Sequence, residues 1–290
     1  MTEHPLLKTL AIAAFLLLAL AGCSALGAFN AVVPHDGGVR LVAHDVAYGP
    51  DPRQTLDIYA PSGGARDARI VVFVYGGSWN SGSKEDYSFA ARAFASRGFV
   101  TAVFDYRLVP QVRYPAFVED SAAAVAFIYR HARAYGGDPG RLYLVGHSAG
   151  AYNAMMVALA PRFLAEQGLS NSVVKAAAGL SGPYDFLPLD VDATRQAFGG
   201  VSDLKSTQPL NQVAKGRFAP PVLLATGDAD DLVYPRNTVA LASRLRSTGH
   251  QVEERHYPGV DHKGTLLSIS RPLRGQAPVL EDIIAFFDAH

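Results

Sequence analysis

A single cysteine, Cys23, stands in 290 residues. No intramolecular disulfide can therefore staple this chain, and no cysteine cluster is available to hold a metal. The metalloprotease pattern His-Glu-x-x-His is missing as well. An excess of one charge is absent, since Lys+Arg and Asp+Glu number 26 each and the net charge is zero with neutral histidines. That balance argues against a basic stripe for nucleic acid and against an acidic solvating tail. Neither an internal repeat nor a low-complexity tract occurs, which excludes repeat arrays. What remains is 49% hydrophobic and 18% charged, the composition of a globular protein with enough chain for one large core. Neither a metal nor an organic cofactor is implied, and composition sets no oligomeric state.

The one long hydrophobic run lies at the start. Residues Leu10 to Leu20 are continuously apolar and follow Lys8. The run has the length of a signal-peptide core and falls short of a membrane span. It ends in Leu20-Ala21-Gly22-Cys23-Ser24, which resembles a bacterial lipobox. The resemblance implies a signal peptide over 1–22, cleavage before Cys23 and lipid on that cysteine, with the membrane as partner. Embedded chains on Cys23 would tether a soluble domain, not bury it. Ser24 in place of an aspartate points, by analogy with such signals, to the periplasmic face of an outer membrane in a Gram-negative cell envelope. An uncleaved anchor helix and a signal peptide cut elsewhere are the alternatives. Residues 23–40 are small and patternless and read as a tether.

From residue 41 the pattern changes. Two alternating stretches, 42–48 and 54–59, read as an antiparallel hairpin around Gly49-Pro50-Asp51-Pro52. Ile70–Tyr75, Val100–Phe104, Leu142–Val145, Val173–Leu180 and Val222–Ala225 are apolar at nearly every position, as suits strands covered on both faces. Val252–Tyr257 is more polar and reads as an edge strand. Helical stretches lie between them at about 86–97, 116–135, 150–166, 236–248 and 278–289. This alternation predicts an α/β fold with a mostly parallel sheet and helices on both faces, in one domain over 41–290. Residues 183–219 are longer than a simple crossover and read as a lid or substrate-pocket insertion.

Gly146-His147-Ser148-Ala149-Gly150 joins one of these strands to a helix. A serine at such a turn needs glycine on each side, because larger side chains would collide with the neighbouring strand and helix. A hydroxyl becomes a useful nucleophile only with a base to take its proton and an acid to orient that base. Of the nine histidines, His262 follows the last strand, on the rim where Ser148 sits. His147 reads as pointing away along the turn. The acid belongs after the preceding strand, where the spacing Gly227-x-x-Asp230-x-x-Val233 selects Asp230. Asp231 is the runner-up, and Asp228 reads as a turn residue. The order Ser, Asp, His suits one particular hydrolase fold. Backbone amides for an oxyanion belong to Ala149 and to the loop Tyr75-Gly76-Gly77-Ser78-Trp79, with Gly77 and Gly76 as donors.

With those residues assembled, the chain from about 40 to 289 resembles an α/β-hydrolase of the esterase/lipase type. It is similar to the hormone-sensitive-lipase-like and feruloyl- or acetyl-esterase-like branches, which include arylformamidases. The matching residues are Tyr75–Trp79, Asp105-Tyr106-Arg107-Leu108, Tyr114-Pro115, Glu119-Asp120, Gly146–Gly150, Asp230 and His262. Such relatives usually carry a histidine where Tyr75 stands. The resemblance implies that this position braces the loop and that Asp105–Arg107 and Glu119-Asp120 are structural. The expected activity is serine-dependent hydrolysis of small or aryl esters without metal or cofactor. An arylformamidase uses the same triad, a peptidase of the prolyl-oligopeptidase kind lacks room for its propeller here, and an inactive hydrolase fold serving as a surface binding protein is the reading from another class.

Overall fold

The computed structural model describes residues 24–290. The apolar run and Cys23, and with them the signal-peptide and lipidation readings, lie outside the described residues. The strands are β1 Val39–Ala47, β2 Thr55–Pro61, β3 Ala68–Val74, β4 Val100–Phe104, β5 Gly137–His147, β6 Val174–Leu180, β7 Val222–Gly227 and β8 Val252–Tyr257. They form one sheet in the order β1-β2-β4-β3-β5-β6-β7-β8. β2 runs antiparallel to both of its neighbours, and every other pair is parallel. The central strands are apolar on both faces because helices cover both faces, and β3 from Ile70 and β4 are buried throughout. β8 is half-exposed at the edge, as its Glu253, Glu254 and Arg255 require.

The register brings the carboxyl ends of the parallel strands to one rim. Val74 pairs with Gly146, His147 with Leu180, Leu180 with Ala225 and Gly227 with Tyr257. Loops leaving β3, β5, β7 and β8 therefore meet over the middle of that rim.

One expected tether is a helix. α1, Ala25–Val32, is capped by Ser24, whose Oγ accepts from the Gly27 amide at 2.8 Å and donates to Asp86 at 2.7 Å. Asn30 donates to the Glu85 carbonyl and accepts from the Ser88 hydroxyl and the Phe89 amide, each at 2.9–3.0 Å. The Phe29 ring meets Phe89 edge-on at 5.4 Å. Farther on, Asp36 takes a bidentate pair from Arg274 at 3.0 and 2.9 Å. The chain is thus part of the folded body from residue 25, and the tether expected over 23–40 is corrected for residues 25–40. Residues this small form a helix here because the body supplies the packing that an isolated segment lacks.

α2 is Ser88–Ala95 and α3 Ala116–His131, which a 3₁₀ turn and a left-handed Gly136 bring to an end. The helix expected over 150–166 is two, α4 Ala149–Leu159 and α5 Arg162–Ala165, because Pro161 cannot continue α4. The insertion after β6 holds α6 Asp192–Phe198 and two 3₁₀ turns. Its Phe186 and Phe198 pack against Trp79 and Tyr152, with Trp79 and Phe198 edge-on at 4.9 Å. α7 Arg236–Ser247, α8 His262–Leu267 and α9 Val279–Asp288 complete the layers.

Candidate active site

Ser148 sits between β5 and α4 with φ 56° and ψ −125°, a conformation that non-glycine residues rarely hold. The turn is held by the Ser148 amide, which donates to the Leu180 carbonyl at 2.9 Å. The flanking glycines are required by their neighbours. A Cβ on Gly146 would strike the Gly150 carbonyl, and one on Gly150 would strike the Val74 and Tyr75 carbonyls. The strand–turn–helix expected from sequence is what holds the serine above the sheet.

His262 opens α8, capped by Asp261, and presents its ring to Ser148. Its Nε2 lies 2.9 Å from Ser148 Oγ, and its Nδ1 lies 2.9 and 3.2 Å from the Asp230 carboxylate oxygens. An acid beside Nδ1 assigns the ring proton there and leaves Nε2 free to accept the serine proton. Asp230 Oδ1 also accepts the Leu232 and Val233 amides at 3.1 and 2.8 Å. Burial alone would raise the Asp230 pKa, but the His262 hydrogen bond and charge, with the Val233 amide, outweigh it and leave the group lowered. Ser148, His262 and Asp230 are 9%, 8% and 2% exposed, so the chain is shielded yet reachable at the serine. Asp231 is exposed, and Asp228 pairs with His256 at 3.1 Å; neither takes the place of Asp230.

His147 has a part that its position beside the turn did not signal. It is buried, and its Nε2 donates to the His262 carbonyl at 3.0 Å. Thr265 donates its hydroxyl to the same carbonyl at 3.0 Å. The two imidazoles stand 5.0 Å apart. Burial, and after it the neighbouring His262 charge, pulls the His147 pKa down to about 3. His147 is therefore neutral near neutral pH, and its Nε2 proton is held on the His262 carbonyl.

The loop after β3 divides the expected oxyanion donors. The Gly76 amide donates to the Tyr87 hydroxyl at 3.1 Å, so its N–H is committed and Gly76 is not an oxyanion donor. Gly77 and Ser78, with φ +124° and 52°, have amides without a backbone acceptor among the described residues, and both line the cavity over Ser148. Ala149 lies at the first position of α4, where no intrahelical acceptor exists for its amide. Gly77, Ser78 and Ala149 are the donors the geometry leaves open; Ser78 was missed, although it follows the glycine pair directly.

Tyr75 does brace this loop. Its hydroxyl accepts from Arg53 at 2.7 Å, its carbonyl accepts from the Tyr106 hydroxyl at 3.0 Å, and the two rings stack at 4.6 Å. Asp120 holds Arg107 through its backbone and guanidinium and accepts from Gln54 at 2.7 Å. Asp105 accepts the Lys84 amide at 2.9 Å. Burial pushes its carboxyl up to about 6 against the pull of Arg53 and that amide. Among the described residues, one cluster has metal-type side chains, His44, Asp45 and Asp57. The Lys84 ammonium already lies 2.7 and 3.2 Å from its two carboxylates and supplies the positive charge there.

Two cavities open on Ser148. The larger, about 430 Å³, has Gly77, Ser148 and His262 at its floor and Leu26 and Phe29 of α1 in its wall. The smaller, about 240 Å³, runs past Ala149 and Trp79 under the insertion. Leu232 reaches both.

Known proteins resemble this chain in sequence and in fold. The BD-FAE family model matches residues 56–245. The isoprenylcysteine alpha-carbonyl methylesterase ICME of Arabidopsis thaliana is 32% identical over 271 residues, covering 86% of this chain and 63% of that protein. Esterase LipC of Mycobacterium tuberculosis is 28% identical over 253 residues, covering 78% of this chain and 60% of that protein. The chain thus spans less than two thirds of the length of these curated relatives. Among solved structures, esterase B from Lactobacillus rhamnosis superposes with a TM-score of 0.80 at 21% identity, over 96% of this chain and 95% of its own. With the family model covering well over half of its length and the sheet order, elbow and triad geometry in place, the chain belongs to the BD-FAE family and has the α/β-hydrolase fold.

Proposed function

We propose that the protein is a serine carboxylesterase that hydrolyses small or aryl esters through an acyl-enzyme. The observation that carries this reading is the unbroken hydrogen-bond chain from Ser148 Oγ through His262 to Asp230 at the elbow. His262 Nε2 takes the serine proton as Oγ attacks the ester carbonyl carbon. The resulting oxyanion lies against the Ala149 amide and the amides of Gly77 and Ser78, each such donor contributing about 3–4 kcal/mol. Protonated His262, held by Asp230, gives its proton to the leaving alcohol oxygen as the C–O bond breaks. Water, deprotonated by the same Nε2, then releases the acid and restores the hydroxyl. No step calls on a metal or cofactor. The esterase names of the relatives support the same reaction class.

Ser148→Ala is expected to abolish hydrolysis of p-nitrophenyl acetate while the melting temperature stays close to that of the parent. Retained turnover would remove Ser148 from the mechanism. An aryl formamide assayed beside the ester separates this reading from the formamidase one.

The same proposal includes the envelope location. The lipobox-like Leu20–Cys23 supports lipid on Cys23 and a membrane-tethered enzyme, and no helix among the described residues is long and apolar enough to cross a membrane. Cells fed labelled fatty acid should yield labelled protein, and Cys23→Ala should lose the label. An unlabelled parent protein would overturn the anchoring.

A further inference from the structure

The two cavities over Ser148 are not equivalent, and their relation to His262 tells them apart. In ester cleavage the acyl part stays on Ser148 Oγ, while the leaving oxygen must come within hydrogen-bond reach of His262 Nε2 to receive its proton. The leaving group therefore departs on the His262 side of the serine. Only the larger cavity, of about 430 Å³, is lined by His262; the smaller one, of about 240 Å³, is lined by Ala149 and Trp79 and not by His262. The walls differ in kind as well. On the His262 side, Leu26 and Phe29 of α1, Leu266 and Leu267 at the end of α8 and Leu232 make most of the wall, joined by Tyr87 and the cationic Lys263. On the other side Asp190, Tyr234 and Arg236 enter the wall beside Phe186 and Val191.

Resting on the carboxylesterase reading, we propose that the substrate is an ester of a bulky, largely apolar alcohol and a smaller acid, with α1 as the element that selects the alcohol. The alcohol moiety fills the space between α1 and α8, and the acyl moiety enters the smaller cavity under the insertion, where polar groups at its far end find partners. Where leucine and phenylalanine form the wall no hydrogen bond replaces water, so a cationic or polyhydroxylated alcohol is desolvated there without compensation, and Lys263 adds a positive charge to the same lining. Each methylene buried on that side favours binding by up to about fourfold. α1 is docked by the Ser24–Asp86 and Asn30 bonds, so the wall is built and not improvised.

The test uses the full chain and two ester series. In one, acetate is held constant and the alcohol grows from methanol through butanol and cyclohexylmethanol to 2-naphthylmethanol. In the other, the methyl ester is held constant and the acid grows from acetate to octanoate. kcat/KM is expected to rise at least tenfold along the alcohol series and to reach its plateau earlier, or fall, along the acid series. Leu26→Trp fills the α1 wall and should lower kcat/KM for the naphthylmethyl ester at least tenfold more than for methyl acetate. Leu267→Trp approaches the same space from α8 and should give the same shift, so the result does not depend on one variant folding. Val191→Trp, at the smaller cavity, should change the acid series instead. Leu26→Trp and Leu267→Trp variants that alter acid-length preference, or alter neither series, would overturn the assignment while leaving the carboxylesterase reading in place. Failure of every ester in both series to turn over would overturn that reading and this inference with it.

Discussion

Replacing Asp230 by asparagine tests the site through a single proton. Asp230 Oδ1 already accepts two backbone amides, from Leu232 at 3.1 Å and Val233 at 2.8 Å, while Oδ2 faces His262 Nδ1 at 2.9 Å. An asparagine must keep its carbonyl oxygen on the two amides, because an NH₂ placed there would meet two donors. Its NH₂ then faces Nδ1 and donates. The imidazole must accept at Nδ1, which moves its proton to Nε2 and turns that nitrogen from acceptor to donor toward Ser148 Oγ. The base is lost although hardly an atom has moved. The expected fall in kcat is about 10⁴-fold, equivalent to about 5.5 kcal/mol of barrier. The assay is p-nitrophenyl acetate turnover with the initial burst followed separately, since both acylation and deacylation use Nε2. Thermal unfolding should change little, because both amide bonds survive. A loss of less than tenfold, in a folded variant, would refute the assignment of Asp230 as the group that sets the tautomer.

Two further outcomes follow from the same neighbourhood. Gly76→Ala would place a Cβ 2.8 Å from the His147 carbonyl and 2.9 Å from Ser148 Cβ, so relief to ordinary contact pushes the nucleophile aside by about half an ångström. The expected results are about 1–3 kcal/mol less stability in urea unfolding and a loss of kcat of up to about 100-fold; parental values for both would refute the close approach. Asp105 carries the third prediction. Its folded pKa of about 6 lies above the unfolded 3.8, so the folded state holds the proton more tightly. The stabilisation is complete below the lower value and is lost as pH rises through the upper one, amounting to about 3 kcal/mol. Asp105→Asn keeps an acceptor for the Lys84 amide and removes the ionisation. Its stability relative to the parent should therefore improve by about that amount between pH ~4 and ~7, as read from urea midpoints; a pH-independent difference would refute the burial argument.

The site was legible where chemistry and topology constrain the same residue. Ser148 declared itself by the glycines that its turn requires, and Asp230 and His262 by following successive strands onto one rim. Contacts made across the fold left no local mark. The Gly76 amide looked free beside Gly77, and only the docking of Tyr87 from the next segment occupies it. The hold of His147 on His262 links residues 115 positions apart, and nothing in Gly-His-Ser-Ala-Gly records it. α1 was unreadable for a different reason. Ala25, Gly27, Ala28 and Ala31 give no strong periodicity, and its helicity depends on Asp86, Ser88 and Phe89, which receive it. The helix expected over 150–166 failed for want of weight on Pro161, a local signal that was present.

The docking of α1 has a consequence for temperature. α1 is fastened by the Ser24 and Asn30 side-chain bonds and by Leu26 and Phe29 packed on the core, and its local opening is expected to cost less free energy than unfolding the sheet. The triad, held between β5, the β7 loop and α8, does not share that opening. Warming is therefore expected to unfasten one wall of the larger cavity before it displaces Ser148, His262 and Asp230. With α1 selecting the alcohol as proposed, discrimination among esters is expected to fade at a lower temperature than turnover does.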